Sequence, residues 1–326
     1  MRLRDVAPLL ILGLSSQPAN SQVTSKPLLD IPKAPFKINR LGTKPIITSD
    51  LDPSIGTNIN GPSLIRVPDW VKKSLGKYYL YFAAHNGNSI RLAYADAISG
   101  PWKVVPAGAL SLEKSYFSDH IASPDAVVDN EHKEIRLYYH GLTPSERSQH
   151  TRVAISNDGI QFIAKEEPVQ RGSAYWKIFQ EGEYWYGLSM SGKIYRSKTG
   201  KDIFESGPQV FPTSPLVIHV GLWRVGNEMR VFYTRTGDTP ERIVMSAIKM
   251  QGDWTQWKPG ATFHVLAPEK DYEGSDLPAK PASIGAVDFR INALRDPHIF
   301  VDGGHVYLIY AVAGESGIAV AEITDN

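Results

Sequence analysis

The stretch that decides the fold is residues 292–323, NALRDPHIFVDGGHVYLIYAVAGESGIAVAEI. Its β-branched and aromatic runs at 297–301, 305–312 and 317–323 are separated by Asp302-Gly303-Gly304 and by Gly314-Glu315-Ser316-Gly317. Turn-forming residues between apolar runs of strand length specify hairpins, so the stretch reads as a small antiparallel meander. Arg295-Asp296-Pro297 opens it and sets a carboxylate just before the first strand. A side chain there points into a shared space, which makes Asp296 a candidate site residue.

The same pattern lies upstream. Residues 59–105 hold NGPSLIRVPDW, GKYYLYFAAHNG and NSIRLAYADAISGPWKVV; residues 121–163 hold SPDAVVDNEHKEIRLYYHG and TRVAISNDGIQFI. Residues 175–211 and 219–257 repeat it twice more, with YWKIFQEGEYWYGLS and HVGLWRVGNEMRVFYTRTGD as their first halves. Recurring meanders at roughly 40-residue spacing are the signature of radial repetition, whereas a sandwich does not demand recurring units. The expected fold is therefore all-β, a five-bladed β-propeller. A strand-like piece at 36–48, FKINRLGTKPIIT, precedes the first full unit and is suited to closing the ring in the last blade, which removes an open edge. No window sustains the apolar spacing of a long helix. The aromatic middle strands (YYLYF, RLYYH, YWYGL, RVFYT, VYLIYA) are expected mainly to pack between blades, with a few rings left to stack on sugars.

Residues 1–21 read as a signal peptide: Arg2 and Arg4, an apolar run at 6–14, then Ala19-Asn20-Ser21 with cleavage after Ser21. That run is too short to span a bilayer, so a secreted or periplasmic protein with no membrane partner is expected. Residues 22–34 are polar and proline-punctuated and read as a linker, leaving 35–326 as one propeller domain. Lys plus Arg number 35 against 34 for Asp plus Glu, which leaves no basic stripe for nucleic acid. There is no cysteine, which excludes disulfides, a thiolate nucleophile and zinc–thiolate sites. Walker, dinucleotide-binding and Gly-x-Ser-x-Gly motifs are absent from the sequence.

An Asp-Pro or Pro-Asp strand opening, an Asp-Gly turn and an aromatic strand, as in SPDAVVD with LYYHG and in RDPHIFVDGGHVYLIY, resembles the five-bladed propeller glycoside hydrolases of families 43, 32, 62, 117 and 130. The resemblance runs from about residue 36 to 323. It implies carboxylates converging on a central funnel, one donating a proton to the leaving oxygen and one activating water or attacking carbon. Asp125, Glu273 and Asp296 are the candidate acid set, with Glu273, before Gly274, as general acid by that resemblance. Glu315 ranks below them. The first-blade acid of those families is missing: the matching place reads Asn60-Gly61-Pro62-Ser63.

Histidines at strand ends broaden the chemistry. His120 and His140 are further catalytic candidates, and His85, His219, His298, Arg295 and Asn60 are candidate substrate contacts. A histidine acid is one reading. A lyase with a His or Tyr base is another, with an arginine (Arg66, Arg91, Arg235 or Arg295) pairing a uronate. A non-catalytic sugar-binding propeller is the third. Gly237 to Arg242 reads as a turn with an ion pair. The expected partner is a carbohydrate. No cofactor is required, and a divalent cation such as calcium in the central channel is compatible with the resemblance.

Overall fold

The computed structural model describes residues 31–143 and 148–325. The expected signal peptide and most of the 22–34 segment lie outside them. Blade I is β2 (Asn60–Arg66), β3 (Tyr78–Ala83), β4 (Ser89–Ala95) and β5 (Lys103–Ser111). Blade II is β6 (Ile121–Asp129), β7 (Glu134–Thr143) and β8 (Ser148–Ser156), with β9 (Ile163–Ala164) and β10 (Gln170–Arg171) both pairing with β8. Blade III is β11 (Lys177–Glu181), β12 (Tyr184–Leu188), β13 (Lys193–Ser197) and β14 (Glu205–Gln209). Blade IV is β15 (Val217–Val225), β16 (Glu228–Arg235), β17 (Ile243–Lys249) and β18 (Pro259–Leu266). Blade V is β19 (Leu294–Asp302), β20 (His305–Val312) and β21 (Ile318–Asp325), completed on its outer edge by the N-terminal strand β1 (Phe36–Arg40). All pairings between these strands are antiparallel, and β1 runs in register from Phe36 opposite Asp325 to Arg40 opposite Ala321. The five-bladed propeller and its N-terminal closure are therefore as the repeats imply. Helical turns among the described residues are short 3-10 segments.

Side-chain alternation explains why the middle strands are aromatic on both faces. In β3, Tyr79 and Tyr81 enter a core with Ile121, Ile135 and Leu137 of blade II. Their neighbours Leu80 and Phe82 enter a separate core with Ile309 and Val320 of blade V. A strand held between two blades buries both faces, so it loses the polar alternation of a half-exposed strand. The same division recurs around the ring, giving one core per blade–blade interface. Neighbouring inner strands touch in the order β2, β6, β11, β15, β19 and back to β2.

Four of the five inner strands, β2, β6, β15 and β19, are distorted where they enter the funnel, while β11 pairs with β12 without a slip. Register slips between Asn60 and Ser63, Ala122 and Asp125, Val217 and Val220, and Arg295 and His298. The residues squeezed out are Gly61-Pro62, Ser123-Pro124, Ile218-His219 and Asp296-Pro297. A bulge leaves backbone groups unpaired, which is where proline is tolerated in a strand. Gly61, Ser123 and Asp296 have φ of +59°, +46° and +49°, and Tyr175, just before β11, has +56°. These bulges re-aim side chains at the axis.

Candidate active site

Residues at the mouths of all five inner strands line one axial cavity: Gly61-Pro62, Ser123-Pro124, Tyr175-Trp176-Lys177, His219-Val220 and Asp296-Pro297. Its volume is about 20 Å3, room for a single water. Asp296 is fixed from two other blades. Its Oδ2 accepts from Gly61 N at 3.1 Å, and its Oδ1 lies 3.1 Å from His219 Nε2. Burial lowers the His219 pKa against the opposing pull of Asp296, so the imidazole is neutral and donates from Nε2. Its Nδ1 has no partner among the described residues.

Tyr175 stands across the cavity within a ring of histidines. Its centroid is 4.1 Å from that of His140, 5.5 Å from His219 and 6.1 Å from His85, while His120 lies 6.0 Å from His140. His140 is 1% exposed, neither of its nitrogens has a hydrogen-bond partner among the described residues, and burial holds its pKa well below the usual value. His120 is held by Asp119 at 2.8 Å. Desolvation pushes the Tyr175 phenol up, and the nearby Asp296 charge adds to the shift, so the hydroxyl keeps its proton.

Behind the mouth runs a buried ionic array. Arg295 bonds Glu241 at 2.7 Å, Glu315 at 3.0 Å and the carbonyls of Gly285 and Ser283 at 2.9 and 3.1 Å. Glu315 also accepts from Asn58 at 2.8 Å and Asn60 at 3.1 Å and faces His85 Nδ1 at 3.3 Å. Burial raises the Glu315 pKa, but His85, Arg295 and Asn58 outweigh it and hold the carboxyl down at about 2. Burial dominates at Glu241, which is pushed up to about 7 despite Arg295. Arg295 and Asn60 therefore stand under the mouth, holding Glu315, and not at its surface.

The other expected residues go elsewhere. Asp125 follows Pro124 instead of preceding it, so it falls one layer below the mouth. It pairs with Lys177 at 3.1 Å and accepts from Ile178 N at 2.7 Å, bracing blade II to blade III, while burial pushes its carboxyl up. His298, at the matching depth, accepts from Leu64 N at 3.1 Å and braces blade V to blade I. Glu273 is fully buried on the outer flank of blade V. It accepts from Arg40 of β1 at 2.8 and 3.0 Å, from Tyr310 at 2.9 Å and from the amides of Glu269 and Lys270. Both oxygens serve ring closure, so the expected general acid does not face the funnel. Among the other candidate arginines, Arg66 pairs with Asp302, Arg235 with Asp238, and Arg91 donates to Asn58 O.

Gly61 explains the missing first-blade acid. It occupies the bulge position that Asp296 holds in blade V, and a Cβ there would lie 3.0 Å from Ser123 Cα. A divalent cation does not fit the channel as it is built. Lys177 Nζ lies 3.3 Å from Pro62 O, 3.4 Å from Pro124 O and 3.1 Å from Asp125 Oδ1, so an ammonium already takes the axial oxygens. Asp129, His132 and Glu134 have metal-compatible spacing at the far end of β6. Their carboxylates already pair with Arg136 and Lys201.

Sequence reasoning passed over Tyr175, Lys177 and Glu241 and placed Glu315 too low. A signal for Tyr175 was present: Tyr175-Trp176 stands where three other blades carry a residue and proline.

No family model matches the chain. Among solved structures, CoXyl43, a family 43 β-xylosidase/α-arabinofuranosidase from a compost metagenome, superposes with a TM-score of 0.60 at 13% identity, over 88% of this chain and 94% of that one. A structure from work on family 130, described as mannoside phosphorylases containing glycoside hydrolases that target β-1,2 mannosidic linkages, superposes with a TM-score of 0.66 at 12% identity, over 89% and 94%. These are likenesses of fold. In sequence, uncharacterized protein R118 of Acanthamoeba polyphaga mimivirus is 36% identical over 82% of this chain and 83% of its own length. The chain thus belongs to the same family as mimivirus R118, on the five-bladed propeller fold of glycoside hydrolase families 43 and 130.

Proposed function

We propose that the protein is a glycosidase that hydrolyses a glycosidic bond over the axial cavity, with Asp296 as the base that activates water. The observation that carries this reading is the convergence of five inner strands on a water-sized cavity whose one carboxylate among the lining residues is Asp296. A base needs to be within hydrogen-bond reach of the attacking water, and the cavity provides that place beside Asp296. His219 donates to Asp296 and sets its orientation.

An uncharged sugar is the favoured substrate. A uronate lyase needs a cation to pair the sugar carboxylate, and Arg295, Arg235, Arg91 and Lys177 are each engaged by protein oxygens. Export before action remains part of the proposal, on the basic and apolar N-terminus; N-terminal sequencing of the mature protein that begins at Met1 would overturn that part.

Incubation with defined neutral and acidic oligosaccharides, read by mass spectrometry, tests the whole reading. Gain of one water on a neutral glycan is the expected result. An unsaturated product indicates elimination, and saturable binding without product indicates a lectin. Asp296→Asn keeps a residue type that tolerates positive φ and is expected to lower kcat by about 10²–10⁴-fold. Wild-type turnover from that variant removes Asp296 from the mechanism.

A further inference from the structure

Hydrolysis also needs a proton for the leaving oxygen, and the residue expected to give it, Glu273, does not face the cavity. Resting on the glycosidase reading, we propose that Tyr175 is the proton donor and that His85, held by Glu315, resupplies it.

Three blades build the chain of contacts. Glu315, in the β20–β21 turn of blade V, is held by Asn58, Asn60 and Arg295. His85, in the β3–β4 turn of blade I, presents Nδ1 to Glu315 Oε1 at 3.3 Å and Nε2 to the Tyr175 hydroxyl at 3.2 Å. Its own amide is tied to Asn58 Oδ1 at 2.9 Å, so the same asparagine places both His85 and Glu315. Tyr175 comes from blade III and is held in a left-handed backbone conformation, which is strained for a non-glycine residue and clusters at functional sites. Its ring rests on His140, whose neutral imidazole is a wall that makes no bond to the hydroxyl. The charged and titratable groups facing His85 are Glu315 directly, Arg295 behind that carboxylate, and Tyr175, His140 and His219 across the mouth.

The proton steps balance. Water loses a proton to Asp296 as its oxygen bonds the anomeric carbon. The glycosidic C–O bond breaks with its electron pair, and the leaving oxygen takes the Tyr175 hydroxyl proton. The phenolic oxygen takes the Nε2 proton of the His85 imidazolium, which keeps its Nδ1 proton and its contact with Glu315. Protonated Asp296 and neutral His85 then exchange one proton through solvent, and the net change is addition of one water. Tyr175 is the catalytic residue; His85 and Glu315 act through it as positioning residues.

The test compares dinitrophenyl glycosides, whose leaving group needs no proton, with alkyl glycosides of the same neutral sugars. Tyr175→Phe is expected to lower kcat on alkyl glycosides by about 10²–10⁴-fold with little change in KM. It should lose far less on dinitrophenyl glycosides, whereas Asp296→Asn should lose on both. His85→Gln should lower kcat on alkyl glycosides far more than on dinitrophenyl glycosides, a split that a packing role would not produce. Equal losses by Tyr175→Phe on both substrates, or none, overturn the proposal. A readout without turnover is the downfield proton resonance of His85 Nδ1–H. It is expected in the wild type, moved in Tyr175→Phe and absent in Glu315→Gln, and its absence from the wild type overturns the resupply by His85. Wild-type protein that cleaves neither substrate class sinks the glycosidase reading, and with it the role of Tyr175 as donor.

Discussion

Replacing Glu273 separates a structural role from a catalytic one. The buried carboxylate accepts five hydrogen bonds: two from Arg40, one from Tyr310 and two from the amides of Glu269 and Lys270. Glu273→Ala leaves Arg40, whose side chain is 12% exposed, with Ala267 O and the solvent-exposed Glu269 as partners. Breaking one side of a buried ion pair costs about 3–5 kcal/mol, and the partners left to Arg40 place this case near 3. In a domain of this size about 3 kcal/mol lowers the thermal midpoint by roughly 6–12 °C. Because Arg40 ends β1, the damage should concentrate where the ring closes, with amides of β1 and β21 losing hydrogen-exchange protection before those of β6 or β11. Calorimetry and exchange mass spectrometry read both effects. An unchanged midpoint and unchanged protection of β1 would refute the reasoning, and an unperturbed fold with abolished turnover would return Glu273 to the catalytic machinery.

Further outcomes follow from the same geometry. Lys177→Ala strands buried Asp125 and should cost about 3–5 kcal/mol; added calcium should raise the thermal midpoint of the variant and leave the wild type unmoved. Gly61→Asp restores a first-blade carboxylate but places Cβ against Ser123 at positive φ, so chemical denaturation should show a loss of about 1–2 kcal/mol. Stability should fall in two stages on acidification. His140 and His219 stay neutral when folded, so the unfolded chain alone takes up their protons as pH drops below about 6.5. Glu241, raised to about 7, opposes this between its two values because the folded state then binds the extra proton. Glu315 contributes about 3 kcal/mol that is present above the unfolded 4.5 and lost as pH falls toward 2. Thermal midpoints across pH should flatten above pH 4.5 in His140→Phe and below it in Glu315→Gln.

Much of the architecture was legible because it depends on local pattern. Turn residues between β-branched runs, repeated five times, mark the blades, and the leftover strand before the first unit marks the closure. The candidate site was legible only in part. Asp-Pro in blade V and Pro-Asp in blade II look alike along the chain, yet the proline marks a bulge, and the two sides of a bulge point to different depths. Asp296 therefore reaches the mouth while Asp125 turns to Lys177 below it. Glu273-Gly274 resembles a loop acid in composition, but nothing in the neighbouring sequence announces Arg40, which lies 233 residues away.

What the sequence by itself determined is therefore the number of blades and the closing strand, since hairpin turns and two-sided burial act over a few residues. The tertiary structure alone decided which ionisable groups share space: Asp296 with His219, Tyr175 with His85 and Glu315, and Lys177 in place of a channel cation. Those choices depend on the register slips of four inner strands and on partners contributed by other blades. A shift of one residue along a strand turns a side chain to the opposite face.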